Sequence, residues 1–325
     1  MNRDFLYSKT NDTENISPEQ LDSEEIEMNK IIDEYIQHPD CKSYIENFKT
    51  IKPICEEVLK QRHPEIKEKE WSKNISINDA IKYAHQFLTT IDSTLADQFM
   101  NLVYQNNNNQ KTLNILPNYI KPYCEKGKAY INYHDKIENM ITLLHEMVHA
   151  MGYSDAMNTN SAYRYLSESP TLIIENLFSK WLVKNKVITQ NDYNLLKEWR
   201  LRDSQDVASK TLMEIALIDM RKKGKYITKK RVLEMIDEKQ HINNFTTREE
   251  CIKYFLMKVL TKRQLYFKES ERYVIGQYIS DKLDKTRNPE KEFLEIYYLA
   301  SNPNITPEKS LKIIKEKYQE PNIDR

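Results

Sequence analysis

The run "TLLHEMVHAM", residues 142–151, sets His145 and His149 four positions apart, with Glu146 directly after the first. On a helix, residues four apart face the same way. Two neutral imidazoles so placed can both reach one Zn²⁺ at about 2.0–2.1 Å. Glu146 is turned by about 100° on a 3.6-residue turn. It is therefore poorly placed to be a third ligand beside them, but it can reach a water on the metal. That arrangement suits metal-assisted hydrolysis with a glutamate as general base. The bland alternative is a chance H-E-x-x-H, two histidines that share a helix and hold nothing.

A catalytic zinc needs a third protein ligand and an open fourth position. Downstream lies "LSESPTLIIENLF", residues 166–178, in which Glu168 and Glu175 are seven apart, two helical turns on one face. Leu172, Ile173, Ile174, Leu177, Phe178 and Trp181 would bury that helix against the first. A carboxylate on such an apolar face is costly unless it is paired or bound to a cation. The alternatives are that both glutamates are solvated, or that Glu168 caps a helix start marked by Ser167, Ser169 and Pro170.

The elements that must position these groups can be read around them. "KAYINYH", residues 128–134, alternates Tyr130 and Asn132 against Ile131 and Tyr133, which predicts a strand and an edge for an extended peptide. Asp135 and Glu138 have capping-box spacing, and Ile137, Met140, Ile141, Leu144, Met147, Val148 and Met151 then recur at helical spacing. The predicted helix covers about 136–151, with Gly152 at the C′ position. Upstream, 24–59 is helical, with Ile26, Ile31, Ile32, Tyr35 and Ile36 as the buried stripe. Residues 77–105 read as one helix with Ile81, Ala84, Phe87, Leu88 and Ile91 on one side. "NNNNQ" at 106–110 marks a polar loop. The expected organisation is a polar, flexible stretch over 1–25, an N-terminal helical lobe over 26–120, and a region over 121–325 that carries the chemistry and ends in successive helices.

Composition narrows the class. Four glycines in 325 residues leave few tight hairpins and no phosphate-cradling loop, so a mainly α fold is expected. Lys+Arg and Asp+Glu balance at 49 each, which gives no reason to expect nucleic acid as a partner. The basic run "RKKGKYITKKR", 221–231, is the one feature that argues otherwise, and such runs are usually solvated helix ends. Cys41, Cys55, Cys124 and Cys251 show no C-x-x-C spacing and read as reduced thiols. With no apolar leader and no stretch of 18 apolar residues, a cytoplasmic protein with no membrane partner is predicted.

"ITLLHEMVHAM" followed by "ESPTLIIEN" resembles the thimet oligopeptidase and oligoendopeptidase F family of gluzincin zinc peptidases. That family carries a T-L-x-H-E-x-G-H-A core, then an E-x-P-S segment with E-N seven residues after its first Glu; carboxypeptidase Taq-like enzymes are similar. The resemblance spans about residues 120–285 and is densest at 141–176. It implies a helical metallopeptidase with a small β-sheet beside the H-E-x-x-H helix, holding one Zn²⁺ per chain and cleaving oligopeptides. It further implies His145, His149 and Glu168 as ligands and Glu146 as base, with Glu175 a carboxylate that fixes the tautomer of a ligand imidazole. The family's oxyanion-stabilising tyrosines point to "ERYVIGQYISDKL", 271–283, with Tyr273 the first candidate and Tyr278 the second; the alternative is that these are core aromatics. Val148 stands where the family has Gly, and the family's late histidine has no counterpart, His241 being the last. A second reading is therefore a catalytically inactive helical protein that keeps the ligand shell and serves as an interaction module.

Overall fold

The computed structural model describes residues 18–38, 42, 45–104, 106–107, 110–111, 113–117, 120–153, 163–239, 271–302 and 304–319. The polar stretch up to residue 17, Cys41, Cys251, His241 and part of the asparagine run lie outside the described residues. The chain is mainly helical, with one three-stranded sheet and, in the asparagine run read as a polar loop, a short antiparallel pair of Asn106–Asn107 with Gln110–Lys111. In chain order the elements are α1 (Ser23–Gln37), α2 (Phe48–Leu59), α3 (Ile77–Ile91), α4 (Ser93–Tyr104), β1 (Leu113–Ile115), β2 (Tyr123–Glu125) and β3 (Lys128–Ile131). There follow α5 (Ile137–Met151), the single turn α6 (Tyr163–Leu166), α7 (Ser169–Lys184) and α8 (Gln190–Lys222). The last are α9 (Lys229–Lys239), α10 (Glu271–Leu283), α11 (Pro289–Ala300) and α12 (Pro307–Ile314). Among the described residues no helix is long and apolar enough to cross a membrane.

Contacts divide the chain into two compact units, each built from separated stretches: 1–60 with 205–271, and 61–204 with 272–325. In the first, Asp22 and Glu25 close a reciprocal capping box at the start of α1. Asn29 exchanges two hydrogen bonds with the Ile227 backbone, donating at 2.8 Å and accepting at 2.9 Å. Arg221 pairs with Asp33, and Lys229 with Asp22 and Glu24, so part of the basic run is engaged with α1 carboxylates. The stripe predicted for α1 needs correcting, since Ile26 is exposed and Met28 takes its place beside Ile31, Ile32 and Tyr35.

The second unit holds the sheet, α3 to α7, the first half of α8, and most of α10 through α12. The helix predicted over 77–105 is broken at Asp92, which has extended backbone (φ −161°). Its carboxylate accepts from Leu95 N at 3.0 Å, so one residue ends α3 and caps α4. The strand predicted over 128–134 stops at Ile131 and is the central strand: β1 pairs with it in parallel, β2 antiparallel. It therefore offers no free edge; the outer strands are β1 and β2. Lys126 and Gly127, both at positive φ, form the two-residue turn between β2 and β3, and Tyr123 stacks on Tyr130 across that pair at 4.5 Å.

The sheet lies along α5, whose other side packs on α7. Ile137, Met140, Ile141, Leu143, Leu144, Met147 and Val148 of α5, and Leu172, Ile173, Ile174, Leu177 and Phe178 of α7, are buried. Phe87 of α3 closes on Phe178 at 5.1 Å and on Trp181 at 6.0 Å. The cap of α5 is not the predicted Asp135/Glu138 pair. Asp135 is itself at φ 56°, and the side chain of Asn139 reaches back to accept from His134 N at 3.0 Å and Lys136 N at 3.4 Å. Gly152 is the C-cap at φ −79°, not a left-handed C′ residue. Space is what it supplies: a Cβ there would lie 2.9 Å from Ser301 Oγ.

Candidate metal centre

His145 and His149 stand one turn apart on α5, the first buried and the second nearly so. Glu168 sits at the N-cap position of α7, one residue before the helix proper. Its side chain makes no capping bond. Instead its Oε2 lies 3.4 Å from His145 Nε2 and 3.4 Å from His149 Nε2, and the three donor atoms fall within 4.8 Å of one another. Glu168 and Glu175 are each 3% exposed, which rules out the solvated alternative for both.

The spacing decides what holds these groups together. A hydrogen bond from nitrogen to oxygen measures about 2.7–3.2 Å, and Glu168 Oε2 is buried without a hydrogen-bond partner. Donors arranged tetrahedrally around an ion at about 2.0–2.1 Å stand about 3.3–3.4 Å from one another. Two of the three separations match that spacing and the two imidazole nitrogens lie within 4.8 Å of each other, so the group could hold a metal ion. A buried carboxylate oxygen without a partner is expensive, and a divalent cation among these atoms would satisfy it.

The surroundings prepare the imidazoles for that task. His145 Nδ1 lies 2.7 Å from Glu175 Oε1. A carboxylate only accepts, so Nδ1 carries a hydrogen, and Nε2, facing Glu168, is the nitrogen left to bind a cation once its own proton is displaced. Arg200 of α8 pairs with the same Glu175 oxygen and stacks on Trp199. Burial works against a charged His145, but Glu175 and Glu168 outweigh it and push the imidazole up to about 10. Burial would likewise raise Glu168, yet His149 and His145 hold it well below the usual carboxylate range. Two carboxylates facing paired imidazoles make a pocket that prefers positive charge.

Glu146, 7% exposed, follows His145 on α5 and so is turned about 100° from it around the helix. Burial raises its carboxyl, the two histidines oppose that, and Glu168 and Glu175 add to it, leaving a stronger base than a free glutamate. Its charge is felt by Cys124 on β2, whose thiol burial and Glu146 push up to about 12, and by Tyr273 on α10. Glu146 thus sits within electrostatic reach of both the sheet and α10.

Tyr273 and Tyr278 part company. Tyr273 is 36% exposed. Burial of its phenol and the charges of Glu168 and Glu146 push it up to about 12, with Arg272 opposing by its charge and a hydrogen bond. It is therefore a neutral phenol beside the centre. Tyr278 is a core residue, 2% exposed, with its hydroxyl donating to Tyr318 O at 2.8 Å. The two positions are five apart on α10, which turns them about 140° from each other, so one helix cannot present both to the same point.

Two side chains at the centre carry no mark in the sequence. Arg200 arrives from α8 and Arg272 from α10, the latter with Nε 3.4 Å from Glu168 Oε1. Gly276 of α10 packs close beside them: a Cβ there would lie 2.9 Å from Glu168 O and 2.8 Å from Leu172 Cδ1. Comparison with family models, with curated proteins and with solved structures gives no match.

Proposed function

We propose that this chain is a zinc metallopeptidase of the gluzincin type that hydrolyses peptide bonds of oligopeptides, akin to the thimet oligopeptidase and oligoendopeptidase F family. The observation that carries the reading is the partnerless Glu168 Oε2 placed 3.4 Å from two imidazole nitrogens on the next helix. Two imidazoles and one carboxylate, with a glutamate following the first histidine, make a donor set suited to Zn²⁺ with one position left for substrate or water. His145, His149 and Glu168 would hold the ion. Zinc, when bound, polarises a carbonyl and lowers the pKa of water towards neutrality.

The remaining work falls to the chain. Glu146 takes a proton from the attacking water as the C–O bond forms, and delivers it to the amine nitrogen as the C–N bond breaks. Tyr273, a neutral donor at working pH, offers its hydroxyl to the oxyanion of the tetrahedral intermediate. Glu175, backed by Arg200, holds His145 with its lone pair turned inward.

Purified protein is expected to carry about one zinc per chain and to cleave members of a quenched peptide library in a chelator-sensitive way. Glu146→Gln should keep the metal and lose turnover. Undiminished cleavage by that variant would remove the mechanism. Zinc content without turnover of any peptide would favour the interaction-module reading.

A further inference from the structure

The two oxygens of the Glu168 carboxylate live in different surroundings. Oε2 faces His145 Nε2 and His149 Nε2, and no hydrogen bond reaches it. Oε1 faces Arg272, whose Nε lies 3.4 Å away. The Arg272 side chain is 31% exposed against 4% for Glu168, so the guanidinium stands on the outer side of the buried carboxylate. Its guanidinium carbon lies 5.3 Å from the centre of the Tyr273 ring, the next residue on α10. One turn further along α10, Gly276 sits against the backbone carbonyl of Glu168 itself.

Carboxylates bind cations through one oxygen or through both. A carboxylate free to swing can use its second oxygen and fill the position that a substrate or water needs. We propose that Arg272 is a positioning residue: its charge, paired with Oε1, makes Glu168 offer the cation a single oxygen and so keeps the centre open. The inference rests on the metal-binding reading above and concerns a residue to which that reading gives no task. It also gives the contact between α10 and Glu168 a chemical purpose, because the same helix brings both the guanidinium and the neutral phenol.

The test uses the full chain loaded with cobalt(II), whose visible absorption is strong in four-coordinate sites and several-fold weaker when more donors bind. Wild-type protein should give the strong spectrum. Arg272→Gln should still bind cobalt but lose most of that intensity, and its kcat on a cleaved peptide should fall with KM little changed. Arg272→Lys, which keeps the positive charge, should restore the strong spectrum; it also serves as the deciding variant if the glutamine protein does not fold. An Arg272→Gln spectrum equal to wild type, or an Arg272→Lys protein that loses the intensity, would overturn the proposal while leaving the metal site intact. Failure of wild-type protein to bind cobalt at all would instead bring down the metal reading, and this inference with it.

Discussion

Adding one methyl group at Gly276 should be felt at Glu168. The new Cβ would stand 2.9 Å from Glu168 O, 3.1 Å from Glu168 C and 2.8 Å from Leu172 Cδ1, where ordinary contact begins at 3.4 Å. Leu172 can rotate a methyl away. The carbonyl cannot move freely, because it accepts from Leu172 N at 3.0 Å and from Thr171 Oγ1 at 2.9 Å. The residue that supplies the carboxylate must therefore retreat by about half an ångström, close to the tolerance of a preorganised site. Overpacking of this kind costs roughly 1–3 kcal/mol, while alanine regains about 1 kcal/mol of helix propensity over glycine. The net loss of global stability is thus small, a few degrees in Tm. The metal should report the change more strongly, with affinity down by roughly 10–100-fold, the range seen when support behind a ligand is lost. A competitive chelator titration of Gly276→Ala against wild type measures it. If Leu172 were the only obstacle, Gly276→Ala/Leu172→Ala would restore the affinity, and we expect that it does not. An alanine variant that binds metal as tightly as wild type would refute the idea that Gly276 sets the position of Glu168.

Other expectations can be checked independently. Glu175→Gln should weaken metal binding by roughly 10–100-fold, measured by the same titration, because His145 loses the acceptor that orients it. Tyr273→Phe should lower kcat by roughly 10²–10³-fold. Tyr278→Phe should leave kcat alone and cost about 1 kcal/mol in denaturant unfolding, since it breaks the bond to Tyr318 O. Asp192, fully buried, accepts from the backbone and hydroxyl groups of Ser72 and Thr189. Burial alone would raise its carboxyl, but these bonds hold it below the usual aspartate value. Its contribution is therefore full above the unfolded pKa and is lost as pH falls through the folded one. Asp192→Asn should flatten the acid limb of the stability–pH curve, and an unchanged limb would contradict this.

What could be read from the chain in advance follows from the range of the forces involved. His145, Glu146 and His149 lie within one helical turn, so their relative placement needs only the 3.6-residue period. Glu168 and Glu175 were legible because an apolar helix face makes any carboxylate on it conspicuous, although Glu168 stands at the helix start and not within it. The break at Asp92 was written as Asp-Ser after an apolar run and was passed over, because propensity on either side favours helix. The place of β3 could not be read locally, since its parallel partner β1 comes from an earlier stretch and only the fold brings the two together. Arg200 and Arg272 are hidden for the same reason. Neither has a periodic neighbour that marks it, and each gains its meaning from a carboxylate on a different helix.

Two of the donors leave from the end of one helix and the third from the beginning of another, so an ion held among them would act as a clasp on the stretch of chain between His149 and Glu168. Fastening two points of a chain removes freedom that the unfolded chain would otherwise recover, and binding free energy at such a point is felt as folding free energy. Withdrawing the ion should therefore loosen the junction of α5 and α7 before it disturbs the rest of this unit, with hydrogen exchange rising first at Val148 to Met151 and Ser169 to Leu172.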